Sequence, residues 1–285
     1  MRIGNTTDAF LKYYGSADAA YARMKELGYD TADVGIFDVN DEIYADVTAM
    51  EKWCRTEREA AAKNGVEIFQ VHGPWPTDDT TEESRARVWD CMHRAVYGCH
   101  LLGAKYLVIH PQMPYGWGRE DDADYSEKLT VDLLRELIPD CEKYGVIVCL
   151  ENMPMTAHRI SPIKNIAETV EKIASPYIGI CLDTGHSNVF ADDLGDAVRT
   201  AAPWLKVLHI HDNNGKSDQH LLPWLGSCNW DSFTRALAEI GYEGSISLET
   251  NGPVSDTMPI EVRQAAEELT AEAAKSFAYA VDSYR

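Results

Sequence analysis

Short apolar segments alternate with longer helical patterns along the whole chain, and this alternation limits the fold more than any other feature. The segments have the length and β-branched content of strands, and a candidate helix follows each one. Strands separated by helices pair in parallel. The eight candidate strands are Arg2–Asn5, Ala32–Phe37, Val66–His72, Tyr106–His110, Val146–Glu151, Ile178–Asp183, Val207–His211 and Ser245–Glu249.

Eight strand–helix units in 285 residues predict a (β/α)8 TIM barrel, a fold that takes ~250 residues. Several candidate helices end on glycine before the next strand, as at Gly65, where a left-handed C-cap favours a residue without Cβ. The runs Val146–Leu150 and Ile178–Leu182 are almost wholly apolar, as in parallel strands covered on both faces. A doubly wound open sheet is the alternative. No linker divides the chain, so we expect one domain over 1–285 with an outer amphipathic helix at about 260–284.

Composition narrows the class of partner. The chain has 26 Lys and Arg against 46 Asp and Glu, a net charge of −20, which disfavours nucleic acid and anionic membrane surfaces. No apolar run reaches the roughly 18 residues of a membrane helix, and the first residues lack the apolar region of a secretory signal, so we expect a cytoplasmic protein. Seven cysteines without a C-x-x-C pair predict buried thiols rather than disulfides.

Polar residues stand where the candidate strands end. The carboxyl ends of TIM-barrel strands meet at one face, which carries the chemistry. Acids and imidazoles gathered there would be costly to bury unless a cation joined them, so the pattern predicts a site for Zn²⁺, Mn²⁺, Co²⁺ or Mg²⁺. The residues at these ends or just beyond them are His72, His110, Glu151, Asp183, His186, His211, Asp218, His220 and Glu249.

Two histidines of the seventh strand are expected to differ in role. His209 and His211 are two residues apart on a strand, so they face the same side. We expect His211, at the strand's last position, to reach the metal, and His209, one layer below, to support it or to pack in the core. His93, His100 and His158 have no acidic partner in evident register, and we assign them no role.

Four motifs in this order resemble the xylose isomerase-like TIM barrel superfamily, and the resemblance spans the chain. They are Leu150-Glu151-Asn152, Leu182-Asp183-Thr-Gly-His186, His209-Ile-His211-Asp212-Asn-Asn-Gly-Lys-Ser-Asp218-Gln-His220 and Leu248-Glu249-Thr250. The superfamily includes sugar and sugar-phosphate isomerases, 3-epimerases and endonuclease IV. The resemblance to its epimerases implies one divalent cation bound by Glu151, Asp183, His211 and Glu249, with His186 at the substrate oxygens.

Endonuclease IV holds up to three zinc ions, and the resemblance implies a match here for each of its ligands. A multi-zinc phosphodiesterase is therefore the alternative function, and a non-catalytic sugar-binding barrel is a third. A nuclease must neutralise phosphates with Lys and Arg, but Lys216 is the only base between Asp212 and His220. Together with the net charge, this favours a sugar isomerase or epimerase over a nuclease. The matching residues are His72, His110, Glu151, Asp183, His186, His211, Asp218, His220 and Glu249.

The expected reaction moves a proton at a carbon next to a sugar carbonyl. A divalent cation would stabilise the resulting enediolate, while Glu151 and Glu249 act as acid and base from different strands. A metal-assisted hydride shift is the alternative.

The expected substrate is a sugar or polyol, and an unphosphorylated one is favoured because no glycine-rich phosphate cradle is evident. Its apolar face would stack on Trp75, Tyr115 and Trp117. Barrels of this shape often form homo-oligomers, but no segment marks an interface.

Overall fold

The computed structural model describes residues 1–36, 42–75, 80–250 and 257–285. Eight parallel strands alternate with helices, as predicted. The strands are β1 (Arg2–Thr6), β2 (Thr31–Gly35), β3 (Glu67–His72), β4 (Tyr106–Ile109), β5 (Ile147–Glu151), β6 (Ile178–Asp183), β7 (Leu205–His209) and β8 (Ser245–Leu248). The helices in the described ranges are α1 (Asp8–Tyr14), α2 (Ala17–Leu27), α3 (Glu42–Ala45), α4 (Val47–Asn64), α5 (Glu82–Leu102), α6 (Ala123–Tyr144), α7 (Ile163–Ile173), α8 (Thr184–Val189), α9 (Leu194–Ala201), α10 (Trp230–Glu239) and α11 (Ile260–Tyr284).

The sheet closes on itself, so the predicted TIM barrel is confirmed and the open sheet is excluded. Hydrogen-bonded neighbours follow the order β7-β6-β5-β4-β3-β2-β1-β8. The remaining seam is joined just beyond β7, where Ile210 forms a parallel bridge with Leu248. The amide of Ile210 donates to Ser247 O and its carbonyl accepts from the amide of Glu249, both at 3.0 Å.

The predicted end of β7 was wrong by two residues. The strand ends at His209, whose register partner is Asp183, the last residue of β6. Because β6 ends at Asp183 and α8 begins at Thr184, the next two residues, Ile210 and His211, have no strand partner on the β6 side. The other described strand ends lie within one residue of the prediction except in β2, which ends at Gly35, and the predicted end Phe37 lies outside the described residues.

Buried apolar residues fill the barrel directly below the mouth. Side chains two apart on a strand share a face, so Cys149, Cys181 and Val207 lie one layer below Glu151, Asp183 and His209, respectively. This packed layer gives the polar residues above it a rigid floor.

The remaining core lies between the strands and the outer helices. The C-terminal helix α11 covers residues 260–284 as predicted and packs against β1 and β8. All seven cysteines are free, and six are buried. Within the ranges that the structure describes, none of the helices combines the length and apolarity needed to span a membrane.

All three histidines that were left without a role have structural partners. His100 donates from Nδ1 to Tyr144 O at 3.0 Å. The ring of His93 on α5 lies between two acids of α6, with Nδ1 2.6 Å from Asp140 Oδ2 and Nε2 3.3 Å from Glu136 Oε1. The expectation that His93 lacks an acidic partner was therefore wrong, because the partner comes from the neighbouring helix. His158 donates from Nε2 to Trp117 O at 3.1 Å and so anchors the loop after β4.

Candidate metal centre and substrate cavity

The residues predicted at the strand ends gather at one mouth of the barrel. His72, Glu151, Asp183 and His209 end their strands, and Glu249 follows β8 directly. His110 follows β4, His186 lies in α8, and His211, Asp218 and His220 come from the segment after β7.

The innermost group joins three carboxylates and one imidazole. One ligand atom from each of Glu151, Asp183, His209 and Glu249 lies within 4.8 Å of the others. His209 Nδ1 is 2.9 Å from Glu151 Oε1 and 3.1 Å from Glu249 Oε2. The imidazole in this group is thus His209, because β7 ends there and brings His209 to the mouth.

A second group continues from Glu151 toward β3 and β4. His110 Nε2 lies 3.0 Å from Glu151 Oε2, and His72 Nε2 lies 3.7 Å from the same oxygen. One ligand atom from each of these three residues fits within a 4.8 Å spread. Glu151 is therefore shared between the two groups.

A third group, the outer group, consists of His186, His211, Asp218 and His220. Asp218 Oδ2 lies 3.1 Å from His220 Nε2 and 3.4 Å from His186 Nε2. The rings of His211 and His220 stack at a centroid distance of 4.0 Å. His211 Nε2 also lies 3.0 Å from Asp183 Oδ2, so Asp183 links the outer group to the innermost one.

The three groups are strongly coupled electrostatically. Burial alone would raise the pKa of Glu151, but His209 and His110 hold it well below its usual range. Burial alone would lower the pKa of His186 and of His220, yet nearby acids including Asp218 raise these pKa values to about 10 and about 9, respectively. The carboxylates therefore favour positive charge at this end of the barrel.

The innermost group fits a divalent cation. Glu151 and Asp183 are at most 1% exposed, and bringing these two buried carboxylates together with Glu249 would be costly without a positive charge among them. Two of its buried oxygens, Asp183 Oδ2 and Glu249 Oε2, accept no hydrogen bond from the described residues, although His211 Nε2 and His209 Nδ1 lie within 3.1 Å of them. Carboxylate oxygen and imidazole nitrogen are the donor types that Zn²⁺ and Mn²⁺ accept.

A cavity of about 620 Å³ opens above these groups. Trp75 and the segment Met153–Met155 form an apolar part of its lining, and the ring of Trp75 meets that of His110 edge to face with centroids 4.3 Å apart. Trp75 stacks on Trp117 at 5.0 Å, but Trp117 is not among the described lining residues. Tyr115, the third predicted wall residue, lies against Tyr125 instead and is also outside that lining.

Several residues that shape the mouth were missed from the sequence. Asp8 follows β1 and lines the cavity, so the same strand-end criterion would have found it. Asp212 accepts hydrogen bonds from the backbone amides of Trp224, Gly226 and Cys228 at 3.0–3.1 Å, which fixes the loop before α10. Gly226 is needed there, because a Cβ would lie 2.2 Å from Asp212 Oδ1.

Comparison with known sequences shows one family. The sequence profile of the family described as "Xylose isomerase-like TIM barrel" matches residues 21–279. An uncharacterized protein of Methanocaldococcus jannaschii is 31% identical over 65% of this chain, and the match spans 64% of that protein. The D-psicose 3-epimerase of Ruminiclostridium cellulolyticum is 27% identical over 85% of this chain and 78% of its own length.

Solved structures share the fold over nearly the whole chain. A D-tagatose 3-epimerase-like protein superposes with a TM-score of 0.77 and 24% identity, covering 99% of both chains. The IOLI protein, whose structure contains a bound zinc atom, superposes with a TM-score of 0.76 and 18% identity over 100% of this chain and 99% of its own.

Proposed function

Because this chain belongs to the xylose isomerase-like TIM barrel family, we propose that it is a divalent-metal-dependent sugar epimerase. The observation that carries the proposal is the innermost group, in which four ligand residues converge and two of them, Glu151 and Glu249, line an open cavity. Its ligands are Glu151, Asp183, His209 and Glu249. His209 takes the place that the sequence resemblance implied for His211.

In this proposal, the two glutamates move the proton. A bound divalent cation would act as a Lewis acid that lowers the cost of negative charge on the sugar oxygens. Glu151 ends β5 and Glu249 directly follows β8, and both line the cavity with β6 and β7 between their strands. One carboxylate removes the proton next to the carbonyl, and the other returns a proton to the opposite face.

In the same proposal, His186 steadies a substrate oxygen. Its Nδ1 donates to Asn152 O at 2.7 Å, which fixes the ring and leaves Nε2 toward Asp218 and the cavity. A protonated Nε2 would donate to the oxygen that gains negative charge during the reaction.

The substrate class proposed is an unphosphorylated ketose. The named curated relative, an epimerase of D-psicose, acts on such a sugar. Among the described lining residues, Lys12 at the rim is the one Lys or Arg, which favours a neutral substrate over a sugar phosphate. Trp75 and Met153–Met155 offer an apolar surface for the C–H face of the sugar.

The test is interconversion of ketoses by protein stripped with a chelator and reloaded. We expect D-fructose and D-psicose to interconvert with added Mn²⁺, Co²⁺ or Zn²⁺ and not without it, and D-fructose 6-phosphate to react poorly. Absence of turnover on any unphosphorylated ketose by fully metal-loaded protein would contradict the proposal.

A multi-zinc phosphodiesterase is the second candidate, and the outer group together with His72 and His110 favours it. The net charge of −20 opposes it, because DNA binding requires neutralised phosphates. Elemental mass spectrometry of protein purified without chelator discriminates the two. About one ion per chain supports the epimerase; three zinc ions, with cleavage of abasic-site DNA, would support the nuclease.

A further inference from the structure

His209 is held through both ring nitrogens. Its Nδ1 faces Glu151 Oε1 and Glu249 Oε2 in the innermost group. Its Nε2 lies 3.0 Å from Asp33 Oδ2, on the side of the ring away from those two oxygens. His209 is fully buried, and the ring of His72 stacks on it with centroids 5.3 Å apart and planes within 7°. The ring therefore has little freedom to turn over.

Asp33 stands at an unusual place for a carboxylate. It lies within β2 and is 3% exposed, in a barrel interior that branched apolar side chains usually fill. Burying a charge there is costly unless donors surround it. Two donors reach its Oδ2: Nε2 of His209, and Nε2 of Gln70 at 2.9 Å.

The hydrogen bond from His209 determines where the ring carries its proton. An ionised carboxylate can only accept, so Nε2 of His209 must hold the proton that it donates to Asp33. Without a cation, Nδ1 likewise donates to Glu151 Oε1 at 2.9 Å. A cation in the innermost group would displace that proton, and the Nε2–H held by Asp33 would leave the lone pair of Nδ1 for the cation.

We propose that Asp33 is a positioning residue that fixes the Nε2–H form of His209 and thereby presents Nδ1 as a metal ligand. The inference rests on the proposed function, since it concerns the same cation. Asp33 itself does not touch the cation or the substrate; it acts through His209, and Gln70 holds its carboxylate in place.

The test variant is Asp33→Asn, which keeps the size of the side chain. An amide can offer either an acceptor or a donor to His209, so the position of the ring proton is no longer fixed. We expect the Kd for Zn²⁺, measured by chelator competition, to rise about 10- to 100-fold. Thr31→Val is the matched control, because Thr31 is a buried polar residue of the same strand that bonds Ile3 O and Ser245. It should change the Kd by less than about twofold even if it lowers stability.

A spectroscopic readout separates positioning from a merely structural role. In Zn²⁺-loaded protein with ¹⁵N-labelled histidine, the ring signals of His209 are identified by their loss in His209→Gln. We expect the wild type to show a proton on Nε2 and a metal-shifted Nδ1, and Asp33→Asn to weaken or lose this pattern. The wild-type spectrum alone tests the proposal if the variant does not fold.

The outcomes of the two proposals are distinguishable. Wild-type protein that binds no divalent cation would overturn the proposed function. Wild-type protein that binds Zn²⁺ through His209 Nε2, or an Asp33→Asn variant with unchanged Kd and unchanged ring signals, would overturn the role of Asp33 and leave the epimerase proposal intact.

Discussion

Gly185 packs directly against the imidazole of His211: a Cβ on Gly185 would lie 2.0 Å from Cε1 of His211. His211 is fully buried, so its ring cannot give way without disturbing Asp183 and the rest of the outer group. Position 185 is therefore a glycine because the ring of His211 fills the space that a side chain would need.

Gly185→Ala should therefore destabilise the protein. Overpacking at a buried contact costs about 1–3 kcal/mol, which urea unfolding will detect as a lower midpoint. Gly118→Ala is the control, because a Cβ there meets no atom within 4 Å and should leave the midpoint nearly unchanged. Equal midpoints for Gly185→Ala and wild type would show that His211 moves without cost.

Glu249→Gln should strongly reduce turnover while sugar binding persists. The amide cannot exchange the proton, and loss of an acid or base typically costs about 10²–10⁴ in kcat. Assays at saturating Mn²⁺ separate this effect from weaker metal binding, and calorimetry with the ketose reports binding.

Glu243→Gln is the matched control for this substitution. Glu243 precedes β8, whereas Glu249 follows it, so the two residues lie at opposite ends of the barrel. A Glu249→Gln variant that retained wild-type kcat would remove Glu249 from the mechanism. Sugar binding without turnover in the wild type would instead indicate a non-catalytic sugar-binding barrel.

Asp212→Asn should destabilise the loop before α10. The buried carboxylate accepts from three backbone amides of that loop and from Trp230 Nε1 at 3.2 Å, and an amide nitrogen would face donors instead. We expect a loss of about 2–4 kcal/mol in the free energy of unfolding. Asp196→Asn, at an exposed pair with Arg199, should change it by less than about 0.5 kcal/mol.

His93 should contribute stability that depends on pH. Burial alone would lower its pKa, but hydrogen bonds to Asp140 and Glu136 raise it above the usual 6.5. A raised pKa in the folded state means that the contribution is complete below about pH 6.5 and is lost as the pH rises through the folded-state pKa.

The comparison of wild type with His93→Gln isolates this contribution. At about pH 6 we expect the free energy of unfolding of His93→Gln to be about 0.2–1 kcal/mol below that of wild type, a small difference because the ring is partly exposed. This difference should close at about pH 9. A gap that widens with pH would mean that His93 is stabilising in its neutral form.

The barrel was predictable because parallel strands and their glycine-capped helices leave a local pattern in the sequence. The identity of the metal ligands was less predictable. His209 and His211 have the same side-chain chemistry and the same strand parity, so only the residue at which β7 ends decides which one reaches the innermost group. That end is set by β6 stopping at Asp183, a tertiary constraint that β7's own sequence does not contain.

Residues whose role depends on contacts between distant strands could not be predicted from the sequence either. Asp33 lies 176 residues from His209 in the chain, and a single acid within an apolar strand gives no sign of its partner. Trp117 carries an aromatic ring in a long loop, as a sugar-stacking residue would, but its ring packs on Trp75 and is 49% exposed.

The central claim is that Glu151 and Glu249 move a proton at a carbon beside the sugar carbonyl. The most direct measurement is the reaction of Mn²⁺-loaded protein with D-fructose in D₂O, with the recovered ketoses analysed by NMR and mass spectrometry. The account predicts solvent deuterium at carbon 3 of the product epimer, with incorporation that is lost in Glu249→Gln. An epimerised product free of solvent deuterium would contradict it and indicate that hydrogen moves within the substrate.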